Sequence, residues 1–225
     1  MKDQHPILYS FRRCPYAMRA RMGLGYAQIR CELREVVLRD KPYEMIALST
    51  KATVPVLQLP DGQIIDESYD IIKWALSQND PQNWQELIPQ TDILVQQNDG
   101  DFKAALDKYK YASRFPEQSL EFYRDQGAIF LNKLNDILNQ RPFLLGEHHS
   151  VADIALFPFI RQFAHVDRDW FYNTPYSALQ NWLTTLLNSD IFTSIMTKYS
   201  RWEKGDNTVY FPDINQGFHS PLAHS

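Results

Sequence analysis

The chain has 225 residues, 44% of them hydrophobic and 13% aromatic, enough apolar surface to bury one large core or two modest ones. A net charge of −4 and a pI near 5.9 exclude the basic surface that nucleic-acid binding requires, so no nucleic-acid partner is expected. Two cysteines, Cys14 and Cys31, cannot build a disulfide framework and have no metal-site spacing. Apolar runs such as residues 154–160 are too short to span a bilayer, and residues 1–6 lead into a strand-like segment without a secretory apolar stretch. A reducing, cytoplasmic setting with no metal and no membrane is therefore expected. The charge is uneven: residues 1–41 hold nine Lys or Arg against four Asp or Glu, which favours a small anionic partner unless these are simply solvated faces.

In chain order, residues 5–11 have the length and composition of a buried strand. After Cys14-Pro15 the period changes: Ala17, Ala20, Leu24 and Ala27 recur at helical spacing, and Pro15 suits a first helical turn, where no backbone donor is needed. Cys14 is thus predicted at a helix N-terminus. Residues 30–38 read as a second strand, and strand, helix, strand implies a parallel pair with a right-handed crossover. A short helix is expected around residues 43–48. Strands at 54–59 and 63–66 flank the turn Pro60-Asp61-Gly62 as a hairpin, and residues 68–77 follow as a helix. The order βαβ-ββα over residues 1–80 is that of an α/β thioredoxin-like N-terminal domain.

Asn79-Asp80-Pro81 breaks that helix, and residues 81–90 read as a linker. From 91 to 225 only helical patterns remain, so an all-α C-terminal domain is expected. Phe102, Leu106 and Tyr109 share one face; Leu120, Tyr123, Gly127, Leu131, Leu134 and Leu138 share another. Ser150-Val-Ala-Asp153 before the apolar residues 154–163 is a capping box that opens a buried helix, bent at Pro158. As a cap alone, Asp153 contributes roughly 1 kcal/mol. The tail from Asp206 looks irregular, packed through Tyr210, Phe211 and Phe218.

Cys14 carries the clearest chemical signal. A thiol reacts as its thiolate, and a helix N-terminus favours that form through unpaired amides and the helix dipole; Arg12, Arg13 and Arg19 act in the same direction. The bland alternative for a lone cysteine is a small buried hydrophobe. In Cys14-Pro15-Tyr16-Ala17 an alanine stands where a resolving cysteine would be, so an oxidised Cys14 must be released by an external thiol through a mixed disulfide. Cys31 is assigned no part.

In Thr53-Val54-Pro55-Val56 the proline cannot donate to a sheet ladder. A cis peptide there lets Val54 offer its N–H and C=O to an extended peptide ligand, the alternative being an ordinary strand-opening proline. Glu67-Ser68 stands where a strand meets a helix: Ser68 and its amides suit an α-carboxylate and Glu67 an α-ammonium, while Ser68 as helix N-cap is the simpler option.

Cys14-Pro-Tyr-Ala, Thr53-Val-Pro55 and Glu67-Ser68-x-x-Ile71, followed by a helical domain with Ser150-x-x-Asp153, together resemble the cytosolic glutathione transferases, and among them the cysteine-type, omega-like and glutaredoxin-like members. The likeness spans almost the whole chain. It implies Cys14 as the catalytic thiol, Val54 and cis Pro55 on the cysteinyl backbone of glutathione, Glu67 and Ser68 on its γ-glutamyl end, and Lys41 near its glycyl carboxylate. It also implies a homodimer, glutathione as cosubstrate, and a small electrophilic or disulfide substrate. Tyr109, Tyr111, Arg114 and Trp170 are candidates for that substrate's pocket, or are simply core aromatics and their neighbours.

The function so implied is a glutathione-dependent thiol transferase or reductase working through a Cys14–glutathione mixed disulfide, by deglutathionylation or dehydroascorbate-type reduction. One rival is conjugation of glutathione to electrophiles, with a Tyr9 or Ser10 hydroxyl activating the glutathione thiol. The other is a noncatalytic interaction module on the same fold.

Overall fold

A computed structural model describes residues 5–212; the anchor expected at Phe218 lies outside them. The chain divides into two compact units, Met1–Gln85 with Asn188–Ser225, and Glu86–Leu187. The first unit opens with β1 (Ile7–Ser10), α1 (Pro15–Tyr26), β2 (Cys31–Glu35), α2 (Tyr43–Leu48), β3 (Val56–Gln58), β4 (Ile64–Ile65) and α3 (Ser68–Gln78). β1 runs parallel to β2, with Leu8 opposite Leu33, and antiparallel to β3, with Leu8 opposite Leu57. All three leucines are buried and form the middle of the sheet's core. β3 and β4 pair across the predicted turn, where Gly62 takes a φ of 92° that a side chain would oppose. α1 lies close against α3, because a Cβ on Gly23 would stand 2.6 Å from Ile72 Cγ1. This is the thioredoxin-like βαβ-ββα arrangement.

Residues 81–85 are not a free linker. Asp80 Oδ1 accepts from Tyr26 Oη and from the Trp84 amide, both at 2.9 Å, and Asp80 Oδ2 accepts from the Gln85 amide at 2.8 Å. Trp84 stacks on Tyr26 at 3.6 Å between ring centroids, so one aspartate and one aromatic pair bind this stretch to the first unit.

The second unit comprises α4 (Ile88–Gln97), a π-type turn at Asn98–Phe102, α5 (Lys103–Lys110), α6 (Leu120–Leu138), α7 (Val151–Ala164), α8 (Arg168–Tyr172) and α9 (Ser177–Leu187). Gly100 leaves helical angles (φ −88°, ψ −112°) inside the turn. The expected apolar faces are buried, except at Leu120, which opens α6 and is 39% exposed. α6 and α7 meet at Gly127, where a Cβ would collide with the Phe163 ring.

The chain then returns to the first unit through α10 (Asp190–Thr193) and β5 (Tyr210–Phe211). β5 pairs antiparallel with β2, Phe211 opposite Cys31, giving the strand order β4-β3-β1-β2-β5. Residues 206–209 are irregular, as expected, while Tyr210 and Phe211 form a strand of the first unit rather than part of the helical domain expected to reach residue 225. β2 otherwise offers an open edge of backbone donors and acceptors, and the tail satisfies it: Leu33 N donates to Val209 O and Trp202 N to Glu35 O, each at 2.8 Å. No helix among the described residues is long and apolar enough to cross a membrane.

Asp153 does more than cap α7. Its buried carboxylate accepts from Ser150 N and Ser150 Oγ at 2.8 Å, from Leu144 N at 3.0 Å and from Trp182 Nε1 at 2.7 Å, joining a loop, α7 and α9. Burial pushes its pKa up against the pull of these four donors. Truncation strands all four. Asp153→Ala is expected to cost at least about 3 kcal/mol, well above the cap value, and to lower the melting temperature by about 6–12 °C. A fall of under about 2 °C in a thermal melt contradicts this account.

Candidate active site

β1 ends at Ser10, and the chain turns at once: the Cys14 amide donates to Phe11 O at 3.0 Å. Cys14 is the N-cap of α1, in extended geometry (φ −75°, ψ 126°), with Pro15 opening the helix and Cys14 O accepting from Met18 N at 2.9 Å. The thiol does not cap the helix. Cys14 is half-buried, packs against the cluster of Tyr9, Val36, Met45, Val54 and Val56, and its Sγ lies 3.7 Å from Val54 O. The Val54–Pro55 peptide is cis, and both residues are buried. Sheet pairing explains the meeting. Tyr9 lies opposite Val56, so the residues after the end of β1 face those before the start of β3.

Glu67, not Ser68, is the N-cap of α3; Ser68 is its first residue, 3% exposed, with its Oγ 3.4 Å from the donating Nη1 of Arg19. Arg19 is buried and serves Ser68, a role that its place in the sequence near Cys14 does not suggest. Exposed Glu67 pairs with Lys51, whose Nζ lies 2.6 Å from Glu67 Oε1 and 3.0 Å from Asp66 Oδ1. Asp66 Oδ2 also accepts from Ser49 Oγ at 2.7 Å, and these contacts hold the Asp66 carboxyl below the usual carboxylate range. Lys51 escaped the sequence reading; its nearness to the Val54-Pro55 motif is the only linear signal. Lys41 lies half-buried in the turn before α2 and makes no ion pair among the described residues.

Residues 8–84 match the family model for the glutathione S-transferase N-terminal domain, and residues 117–185 match that for the glutathione S-transferase C-terminal domain. The chain belongs to the glutathione S-transferase family. Glutathione S-transferase omega-1 of Mus musculus is 24% identical over 202 residues, covering 83% of this chain and 78% of that protein. Glutaredoxin 2 of Escherichia coli strain K12 is 36% identical over 68 residues, 30% of this chain and 31% of that protein, so the chain spans under a third of that relative's length.

The fold is shared with solved glutathione transferases. Omega 3C from Trametes versicolor superposes with a TM-score of 0.73 at 19% identity, covering 88% of this chain and 91% of that one. A glutathione transferase from Pseudomonas putida, solved with one glutathione disulfide bound per subunit, has a TM-score of 0.72 at 20% identity, covering 87% and 93%.

In the helical unit of this transferase-family chain, Tyr109 is buried and lines a cavity of about 400 Å³ with His165, Asp167 and Arg168. Burial pushes the Tyr109 hydroxyl up to about 12. Tyr111 is 38% exposed under the Arg114 guanidinium, and Trp170 packs on Phe163 beneath Arg124. Among these four, Tyr109 alone lines that cavity.

The two cysteines differ sharply. Cys31 is fully buried and its pKa is pushed up to about 12 by burial, whereas Cys14 is half-buried at the helix start. Alkylation of the folded protein near neutral pH is expected to label Cys14 alone, and both residues after denaturation. Mass spectrometry showing rapid labelling of Cys31 in the folded chain contradicts the assignment.

Proposed function

We propose that the chain is a glutathione-dependent thiol transferase in which Cys14 is the reacting thiol. One observation carries this: the Cys14 sulfur stands at the N-terminus of α1 beside the Val54 carbonyl, while buried Ala17 occupies the position where a second thiol would close an internal disulfide. The Cys14 thiolate attacks the glutathione sulfur of a glutathionylated substrate. That S–S bond breaks, the substrate leaves as a thiolate and takes up a proton, and Cys14 keeps the glutathione as a mixed disulfide. The thiolate of a second glutathione then attacks the glutathione sulfur on Cys14, which releases glutathione disulfide and restores the Cys14 thiolate.

The surrounding residues suit the peptide. Val54 N–H and C=O pair with the cysteinyl backbone as a strand does, Ser68 and the first amides of α3 receive the γ-glutamyl carboxylate, Glu67 its ammonium and Lys41 the glycyl carboxylate. The ammonium competes with Lys51 for Glu67. Glutathione disulfide in the Pseudomonas putida relative supports this class of ligand.

Conjugation through a hydroxyl is disfavoured by burial. Tyr9 is 1% exposed, accepts from Arg34 Nη1 at 2.5 Å and has its pKa raised by desolvation; Ser10 is fully buried and accepts from Arg21 Nη1 at 2.6 Å. A noncatalytic module has no need of the thiol and ligand residues that this chain keeps. Pairing into a homodimer is part of the same proposal, supported by exposed apolar side chains in the helical unit. Phe122 and Ile129, 45% and 67% exposed, line a groove of about 620 Å³ rimmed by Lys108 and Lys133.

Cys14→Ala is expected to lose glutathione-dependent disulfide reduction down to the uncatalysed rate while still binding glutathione in a calorimeter. Full turnover by that variant refutes the role of Cys14, and robust conjugation of an aryl halide by Cys14→Ser favours the rival chemistry. Sedimentation equilibrium is expected to return twice the 26.4 kDa chain mass, and Ile129→Glu to return one. A monomeric parent chain removes the homodimer from the proposal.

A further inference from the structure

We propose that Arg21 is a positioning residue for the reactive thiol: its buried guanidinium fixes the turn that presents Cys14 and holds the thiolate by charge, with Glu35 as the counter-charge that sets its strength. The inference deepens the proposed function and rests on Cys14 being the reactive thiol.

Arg21 is 1% exposed, on a helix whose neighbouring positions Ala17, Ala20 and Leu24 are apolar and buried. It follows Cys14 by seven residues, two helical turns or about 10 Å along the same face. Helical side chains lean toward the N-terminus, so a side chain as long as arginine reaches back to the Cys14 end. The hydrogen bonds follow that direction. Arg21 Nη2 donates to Arg12 O at 2.8 Å, and Nη1 donates to Ser10 Oγ at 2.6 Å. From β2, Glu35 Oε1 accepts from the Arg12 amide at 2.6 Å. Arg12 is thus held at both its backbone groups by a buried cation and a buried acid. With the Cys14 amide bonded to Phe11 O, the turn between β1 and α1 is pinned from beneath.

A buried charge is costly, and an apolar side chain at this point in α1 would fill the space without that cost. The cluster is also incompletely hydrogen-bonded: Arg21 Nε and Glu35 Oε2 are buried without hydrogen-bond partners among the described residues. Glu35 and the Cys14 thiolate attract the Arg21 charge, and Arg12 repels it. Burial lowers the Arg21 pKa only to about 10, so the guanidinium stays cationic at neutral pH.

The other cations near Cys14 have different partners. Arg12 Nη1 reaches Met196 O at 3.4 Å, Arg13 is exposed over the Phe11 ring, and Arg19 serves Ser68. Exposed charge is screened by water and salt, and buried charge is not, so Arg21 has more influence on the thiol than Arg13.

The test is the pH dependence of Cys14 alkylation, resolved by mass spectrometry, in the parent chain and in Arg21→Gln, Arg21→Lys and Glu35→Gln, each checked for folding by circular dichroism. Arg21→Gln is expected to raise the apparent pKa of the thiol by about one unit, and Glu35→Gln to lower it by about half a unit. Arg21→Lys is expected to keep most of the effect. A purely structural role moves both charge-removing variants the same way or not at all, and either result overturns the proposal. Should Arg21→Gln fail to fold, an unmoved thiol pKa in Glu35→Gln overturns it alone. Alkylation reads the thiol without glutathione, so loss of the proposed turnover and loss of this coupling are separately visible.

Discussion

The pairing of β1 with β3 is the constraint on which the site depends. β1 carries no chemistry itself, but its last pairs with β3 bring the turn that ends at Cys14 against the cis Val54–Pro55 peptide. The register also fixes which face each residue takes, since a slip of one position in a strand turns every side chain to the opposite face. Leu8, Leu33 and Leu57, stacked across three strands, hold that register by burial. The site is therefore assembled from the turn that leaves β1 and the segment that enters β3, at one end of two central strands of the sheet, and its geometry inherits the stiffness of the core beneath it.

Each unit has a buried polar knot among its described residues. In the helical unit Asp153 gathers four donors from a loop, the start of α7 and α9, so a single carboxylate sets how three segments meet. In the first unit Arg21, Ser10, Glu35 and the Arg12 peptide form the corresponding cluster, placed under the reactive turn. The two differ in completeness: Asp153 has a donor for each lone pair it directs, while the Arg21 cluster keeps a nitrogen and an oxygen without hydrogen-bond partners among the described residues.

The fifth strand shows the same economy. β2 carries Cys31 and Glu35, and β5 closes its open side opposite Cys31, whose thiol burial holds in the protonated form, while Trp202 packs against Tyr9 and Arg34. The segment after the helical unit thus protects one cysteine and leaves the other at the helix start half-exposed, a division of labour decided by which strand edge was free.

The sequence by itself determined the βαβ-ββα order, the helices at 43–48 and 68–77, the place of Cys14 at a helix start and the capping role of Asp153, because periodicity, proline position and turn residues act over a few neighbours. It also named Val54, Pro55, Glu67 and Ser68, whose meaning came from their order along the chain. Only the tertiary structure decided that Lys51 faces Glu67, that Arg19 serves Ser68, that Arg21 lies buried under the reactive turn and that the tail completes the sheet. Those pairings join residues distant in sequence, and no local pattern records which distant backbone edge or buried charge will be left needing a partner once the core has closed.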